Sequence, residues 1–371
     1  MLPKVAIIYL TYPTKNWEAD INRCLASLER MTYPKERVEL ICVESKGKIP
    51  PVKPWFDERW LPKSGKELPR ITYVFRDEWI GFSGNNNLGL EEAKRMGCEF
   101  VYLLNEDTDT DPDFLIRSVE CAQQDSSIAC VQSMVLLGEE RKLINSSGNA
   151  YHYLGFGYSN NYQCDVSRFT FPAYRTGRHV SRTEIGYASG AGVLVRLAAL
   201  QDEKLFDEKF YSYHEDTDLC LRLRMRGWRT VTEPTSVIWH YYEFGKAKIN
   251  YYYMERNRYV LVFSYYRPWT LFILMPMLLV MDIGVLGFAM MGGWADMKWK
   301  VYRDFCSSDF WRWIAARRSR IQKSRTISDR TFLRVAVSAI AFQEVNVKNP
   351  MLTWMGNPLL RAYWFVARML I

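Results

Sequence analysis

A chain of 371 residues, 48% hydrophobic and 24% charged, can bury a sizeable core and is too apolar for a disordered or low-complexity protein; one large domain plus an appendage is expected. Its eight cysteines are scattered, without a C-x-x-C pair or metal-knuckle spacing, and their apolar neighbours predict buried, reduced thiols in a reducing compartment. The formal charge of +8 is local: between residues 298 and 330 ten Lys and Arg face three Asp, leaving +7 there, which argues against a nucleic-acid groove on the rest of the chain.

The N-terminus passes straight into the apolar run Val5–Leu10, so no signal peptide is expected. Strand-like runs at 5–10, 38–43, 71–75, 100–104 and 128–131 alternate with helical patterns at 18–31, 86–96 and 112–123. That alternation predicts βαβ units and an α/β fold with a mainly parallel sheet flanked by helices. Such sheets take ligands beyond the carboxyl ends of their strands. Polar clusters fall there: Thr11-Tyr12, Glu44-Ser45 and Asn105 to Asp109. The stretch 46–70, rich in Pro and Lys, reads as a surface insertion, and 139–184 as a long ordered loop or short hairpins. After Asn250 the composition changes, which divides the chain into a main domain, 1–250, and a helical region, 251–371.

Three segments carry chemistry. Gly81 to Leu90 follows the third strand and opens a helix, offering free N–H groups; it lacks the Gly-Lys-Ser/Thr of a P-loop and the spacing of a dinucleotide fingerprint, so on its own a Gly/Asn turn capping a helix explains it better. Asn105-Glu106-Asp107-Thr108-Asp109 ends the fourth strand with oxygen donors suited to Mg²⁺ or Mn²⁺, while Asp111 serves as N-cap of a helix at Pro112. The run Tyr213 to Arg222 places Glu215, Asp216 and Asp218 in the first turn of a helix that Gly227 stops, the charge order a helix dipole favours even without a catalytic role. His240 closes an apolar run downstream and can return to the same cleft as a nitrogen donor.

In this order the motifs Ile7 to Tyr12, Gly81 to Gly89, Leu103 to Thr108, Ser189 to Arg196, Leu205 to Glu208, His214 to Asp218 and Trp239-His240 are similar to those of the family 2 glycosyltransferases of GT-A fold, in the rhamnosyl- and galactofuranosyltransferase-like branch, over roughly residues 4–260. The resemblance implies a nucleotide-sugar donor, a divalent cation (Mn²⁺ or Mg²⁺) and an inverting transfer to an acceptor hydroxyl. It implies that Asp107 and His240 bind the metal, with Asn105 replacing the first Asp of a D-x-D pair, and that Asp216 is the general base. Thr11, Tyr12 and Glu44 fall where the family holds the nucleoside, although Asp is commoner at position 44. Gly81, Asn87, Gly190 and Gly192 are the remaining donor-site candidates, the two later glycines by letting backbone approach the sugar.

The apolar run 269–291 is long enough to cross a bilayer, but Pro276 and Asp282 interrupt it and both flanks are basic, which favours a re-entrant or in-plane hairpin over a span. Residues 298–330 alternate Arg with aromatics, a pattern for anionic lipid or for packing on a soluble body. Peripheral attachment at the cytoplasmic face of the cell membrane and a lipid-linked glycan acceptor follow as expectations. The rival is a non-catalytic membrane-bound module that binds a nucleotide or glycan on the same fold.

Overall fold

The structure is a computed structural model that describes residues 2–11, 16–47, 50–168, 183–241, 247–341 and 350–371. The chain forms two compact units. The first comprises Met1–Asn149, Ser159–Tyr211 and Trp228–Glu243; the second comprises Ala150–Tyr158, Ser212–Gly227 and Phe244–Ile371. A single cut near residue 250 does not describe them, because two earlier segments join the C-terminal helices.

The strands are β1 (Val5–Leu10), β2 (Val38–Ser45), β3 (Arg70–Arg76), β4 (Phe100–Leu104), β5 (Thr108–Thr110), β6 (Ile128–Leu137), β7 (Ile144–Ser146), β8 (Asn149–Tyr151), β9 (Gly157–Ser159), β10 (Gly192–Arg196) and β11 (Arg229–His240). In the first unit the order β3-β2-β1-β4-β10-β6-β11-β5, with β7 beside β6, makes one mixed sheet. Strands β3, β2, β1 and β4 run parallel, β10 enters antiparallel between β4 and β6, and β11 lies parallel to β6. Every residue of β1, β2 and β4 is buried, as expected of strands covered on both faces.

Helices α1 (Trp17–Leu28), α2 (Lys53–Arg59), α3 (Gly81–Arg95) and α4 (Phe114–Gln124) belong to this unit. On α1, Ile21, Cys24, Leu25 and Leu28 form the buried stripe, and each aliphatic among them contributes about 1.5–3 kcal/mol by burial. Three expectations need correction. The stretch 46–70 is not merely a surface insertion: α2 lies in it, and Phe56 and Trp60 are buried in the core. Helix α3 starts at Gly81, because close packing outweighs the poor helix propensity of its Gly and Asn residues; a Cβ on Gly89 would stand 2.6 Å from Ile8 Cγ2. Finally, α4 begins at Phe114, two residues after Pro112, with Asp113 at its N-cap, while Asp111 accepts the Asp113 N–H at 3.0 Å as a local turn.

The second unit holds α5 (Glu215–Met225), α6 (Lys248–Tyr265), α7 (Pro268–Met291), α8 (Ala295–Phe305), α9 (Ser308–Ser324) and α10 (Asn357–Leu370). Buried ion pairs bind it together. Glu255 meets Arg258 at 3.0 Å and Lys298 at 2.7 Å, and Lys298 also reaches Asp282 at 2.7 Å. Part of the basic stretch is turned inward: Lys298 and Arg317 are buried on carboxylates, and Arg318 donates to the carbonyls of Phe263 and Tyr266.

Candidate active site

In the first unit, strand pairing rather than sequence proximity assembles the candidate metal site. The short β5 runs antiparallel to β11 with Thr108 opposite His240, and the Tyr241 N–H donates to the Asp107 carbonyl at 2.8 Å. This register sets His240 Nε2 3.1 Å from Asp107 Oδ1. The turn before β5 is closed by Thr108 Oγ1 donating to the Asn105 carbonyl at 2.6 Å. The Asn105 N–H donates to the Ala191 carbonyl at 3.2 Å, so Asn105 and the Gly190–Gly192 turn share one edge of the sheet with Asp107 and His240.

Burial by itself would raise the Asp107 carboxyl, but His240 beside it outweighs that and holds it below the ordinary value. Its Oδ1 is buried against the His240 nitrogen. Among the described residues no three His, Cys, Asp or Glu side chains converge. A carboxylate and an imidazole at this spacing are donors that would suit a divalent cation. Asp109 does not join them; Arg141 binds it at 2.8 Å.

A cationic and aromatic cluster adjoins the pair, one that sequence reasoning missed. The Arg23 guanidinium stacks 3.7 Å from the Tyr241 ring, while Arg141 lies 3.9 Å over Trp239 and donates to Tyr241 Oη at 3.2 Å. Only the aromatic run beginning at Trp239 hinted at such stacking.

Several donor-site candidates have structural occupations. Thr11 is buried and contacts Tyr73 Oη at 3.0 Å; Tyr12 lies outside the described residues. Glu44 accepts the N–H groups of Val52 at 2.7 Å and Lys53 at 3.1 Å, together with the Tyr73 hydroxyl at 2.7 Å, so its carboxylate caps α2. Asn87 clasps Phe206 in both directions at 3.0 Å and reaches Glu208; it also lines a polar cleft of about 440 Å³ that contains neither Asp107 nor His240. Gly81 supplies a left-handed φ of 67° at the start of α3. Gly192 is closely packed: a Cβ there would stand 2.2 Å from Ile238 Cδ1, so that side chain would have to shift.

Asp216 lies in the second unit, and the three acids of its helix differ. Asp218 is buried and structural: Oδ1 accepts from Tyr265 Oη at 2.6 Å and from Arg317, and Oδ2 from Arg222 at 3.0 Å. Burial, with Asp216 adjoining, pushes the Glu215 carboxyl up to about 8. Asp216 Oδ1 accepts the Thr217 N–H at 2.6 Å. The turn before this helix is strained, because Tyr213 and His214 take φ of 64° and 68°, a left-handed conformation costing on the order of 1–2 kcal/mol per non-glycine residue. Strain of this kind gathers at functional sites.

A mixed sheet carrying an acidic turn and a histidine at its carboxyl edge defines an α/β class that binds ligand at that edge. The sequence profile described as "Glycosyltransferase like family 2" matches residues 5–260, and the chain belongs to that family. It is similar to glucomannan 4-beta-mannosyltransferase 2 of Arabidopsis thaliana, 24% identical over 54% of this chain and 34% of the relative. It is also similar to the N-acetylglucosaminyl-diphospho-decaprenol L-rhamnosyltransferase of Mycobacterium tuberculosis, 39% identical over 19% of this chain and 23% of the relative. The chain thus spans about a third or less of either relative's length. Its fold matches the mannosyltransferase PcManGT from Pyrobaculum calidifontis, solved in complex with GDP-Man and Mn²⁺, with a TM-score of 0.50, 15% identity and coverage of 87% of this chain and 86% of that one. The fold is GT-A-like, a mixed sheet flanked by helices, with an apolar helix toward the C-terminus.

Proposed function

We propose that the chain is an inverting, metal-dependent glycosyltransferase that moves a sugar from a nucleotide-sugar donor to a hydroxyl of a lipid-linked glycan. The observation that carries this reading is the Asp107–His240 pair, set by the β5–β11 register at the sheet edge where Asn105 and the Gly190–Gly192 turn meet. When bound there, the cation supplies positive charge against the charge that develops on the departing nucleoside diphosphate. Asp107 and His240 would hold it. Arg23 adds fixed positive charge near the Asp107 carboxylate.

Asp216 is assigned the proton transfer. Its carboxylate takes the proton of the acceptor hydroxyl as that oxygen attacks the anomeric carbon, and the bond from that carbon to the diphosphate breaks on the opposite face. One displacement inverts the configuration without a covalent enzyme intermediate, and a positioned base contributes about 10²–10⁴-fold. Relatives whose names specify mannosyl and rhamnosyl transfer, one of them to a diphospho-decaprenol acceptor, support the reaction class and the lipid-linked acceptor.

Membrane attachment is supported by α7, a 24-residue helix whose most apolar window has a mean hydropathy of 2.3 and is only 17% buried. Phe272 and Ile283 are each 71% exposed, and α10 presents Phe365, Val366 and Met369. Apolar surface of this extent calls for a covering. Asp282 ties the middle of α7 to Lys298 and Tyr302 of α8, and Trp269 Nε1 donates to the Leu370 carbonyl at 3.0 Å. A transverse α7 would draw charged α8 into hydrocarbon at about 2.5–3.5 kcal/mol per central charge, so the helix is assigned to the plane of one leaflet. Free cysteines, most of them buried, agree with work on the cytoplasmic face.

The test is a screen of UDP-GlcNAc, GDP-mannose and nucleoside-diphosphate rhamnose for Mn²⁺-dependent transfer to a polyprenyl-diphosphate glycan by the full chain in lipid. Transfer with inverted anomeric configuration supports the proposal; retention of configuration, or metal-independent turnover, refutes it.

A further inference from the structure

The helix that carries Asp216 is preceded by a backbone conformation that its own residues disfavour. Tyr213 and His214 are both left-handed; His enters this region more readily than most residues, but the bulky Tyr213 does not. Something outside the turn must hold it, and in the second unit one side chain does so directly. Asn257, fully buried in the interior of α6, donates from Nδ2 to the Ser212 carbonyl at 2.9 Å and to the Tyr213 carbonyl at 2.8 Å. These carbonyls belong to the peptide planes on either side of Tyr213, so a single amide spans the residue's two soft torsions and fixes both. The amide's orientation is fixed in turn, because its Oδ1 accepts from Arg256 Nε at 3.0 Å and Nδ2 is left facing the carbonyls.

The same helix grips α5 again two turns further along. Tyr265 Oη donates to the Asp218 carboxylate at 2.6 Å and to the Asp218 carbonyl at 3.0 Å. The two grips bracket Asp216, one on the turn before it and one on the residue two places after it. Between them, the His214 carbonyl accepts the Asp218 N–H at 2.8 Å, the first bond of the helix. The Tyr265 grip has an evident packing purpose in the Asp218 ion-pair cluster. The Asn257 grip acts on backbone alone, and the conformation it holds sets where the first turn of α5 begins.

We infer that Asn257 is a positioning residue of the transfer reaction: by clamping the left-handed turn at Tyr213 it sets the direction of the Asp216 carboxylate. This rests on the assignment of Asp216 as base. Substituting Asn257 by Asp keeps the shape but replaces the donor by an acceptor facing two carbonyls. Substituting it by Ser keeps one shorter donor.

The experiment measures Mn²⁺-dependent transfer by the full chain in lipid, with the three nucleotide sugars named above, for wild type, Asn257→Asp, Asn257→Ser, Asp216→Asn and the double variant Asp216→Asn/Asn257→Asp. Misplacement of a catalytic group by about 1 Å costs on the order of 10²-fold. Asn257→Asp is expected to lower kcat about that much, with the donor KM and acceptor-independent release of nucleoside diphosphate unchanged, and Asn257→Ser to fall between it and wild type. In the Asp216→Asn background the Asp substitution should add nothing, because its effect runs through the missing base. Multiplicative losses, or a rise in donor KM with kcat intact, overturn the inference. Where Asn257→Asp does not fold, Asn257→Ser carries the test by the same split, and wild-type kcat in that variant overturns it. Full transfer by Asp216→Asn would instead refute the base assignment, an outcome separate from the behaviour of Asn257.

Discussion

Asp218 and Asp216 share the first turn of α5, yet their substitution by Asn is predicted to have opposite consequences. Asp218 is fully buried and bonded to Tyr265, Arg317 and Arg222, and Arg317 is itself only 2% exposed. Asp218→Asn preserves volume but leaves a buried guanidinium without its counter-ion, and removing one partner of a buried pair costs about 3–5 kcal/mol. At roughly 2–4 °C per kcal/mol for a large domain, the melting temperature should fall by on the order of 10 °C. The assay is thermal unfolding followed by near-ultraviolet circular dichroism, with Arg317→Met and the double variant included. The double variant should lose clearly less than the two single losses combined, because it removes the stranded charge. A shift of under about 2 °C for Asp218→Asn, or strict additivity with Arg317→Met, would refute the assignment of Asp218 to structure.

Other outcomes follow from the same geometry. Arg258 and Lys298 outweigh the effect of burial and hold the Glu255 carboxyl down at about 2, below its ordinary 4.5. A depressed carboxylate gives stability that is complete above pH 4.5 and lost as pH falls through about 2; acid unfolding should show that loss, and Glu255→Gln should flatten it in that window. Gly192→Ala should destabilise by about 1–3 kcal/mol through its clash with Ile238 Cδ1, and Ile238→Val, which removes that methyl, should restore most of the loss in chemical denaturation. The full chain should float with anionic liposomes, and Phe272→Asp/Ile283→Asp should leave it at the bottom of the gradient with an unchanged melting temperature; flotation of that variant would contradict the assigned face.

Strands β1 and β4 were legible in the sequence to the residue, because burial on both faces writes them as unbroken apolar runs. β5 was not: Thr108-Asp109-Thr110 is polar, three residues long, and exists only because β11 pairs with it from far along the chain. The start of α3 was hidden for a related reason, since Gly and Asn promise a turn until Ile8 is seen packed against Gly89. Asp107 could be placed from its strand end alone. His240 needed the resemblance, and only the strand register explains how it reaches Asp107. The structural duties of Glu44, Asn87 and Asn257 left no mark in the sequence, because each is defined by backbone groups that other elements deliver.

The central claim is that a cation-bound nucleotide sugar at Asp107 and His240 gives up its sugar to an acceptor deprotonated by Asp216. Its most direct test is the release of nucleoside diphosphate from the screened nucleotide sugars, with and without Mn²⁺, by wild type, Asp107→Ala and Asp216→Asn. Wild type should release it only with metal and faster with acceptor, Asp107→Ala should behave as the metal-free enzyme, and Asp216→Asn should bind donor while transfer falls by about 10²–10⁴-fold. Metal-dependent turnover at the wild-type rate by either variant would contradict the account.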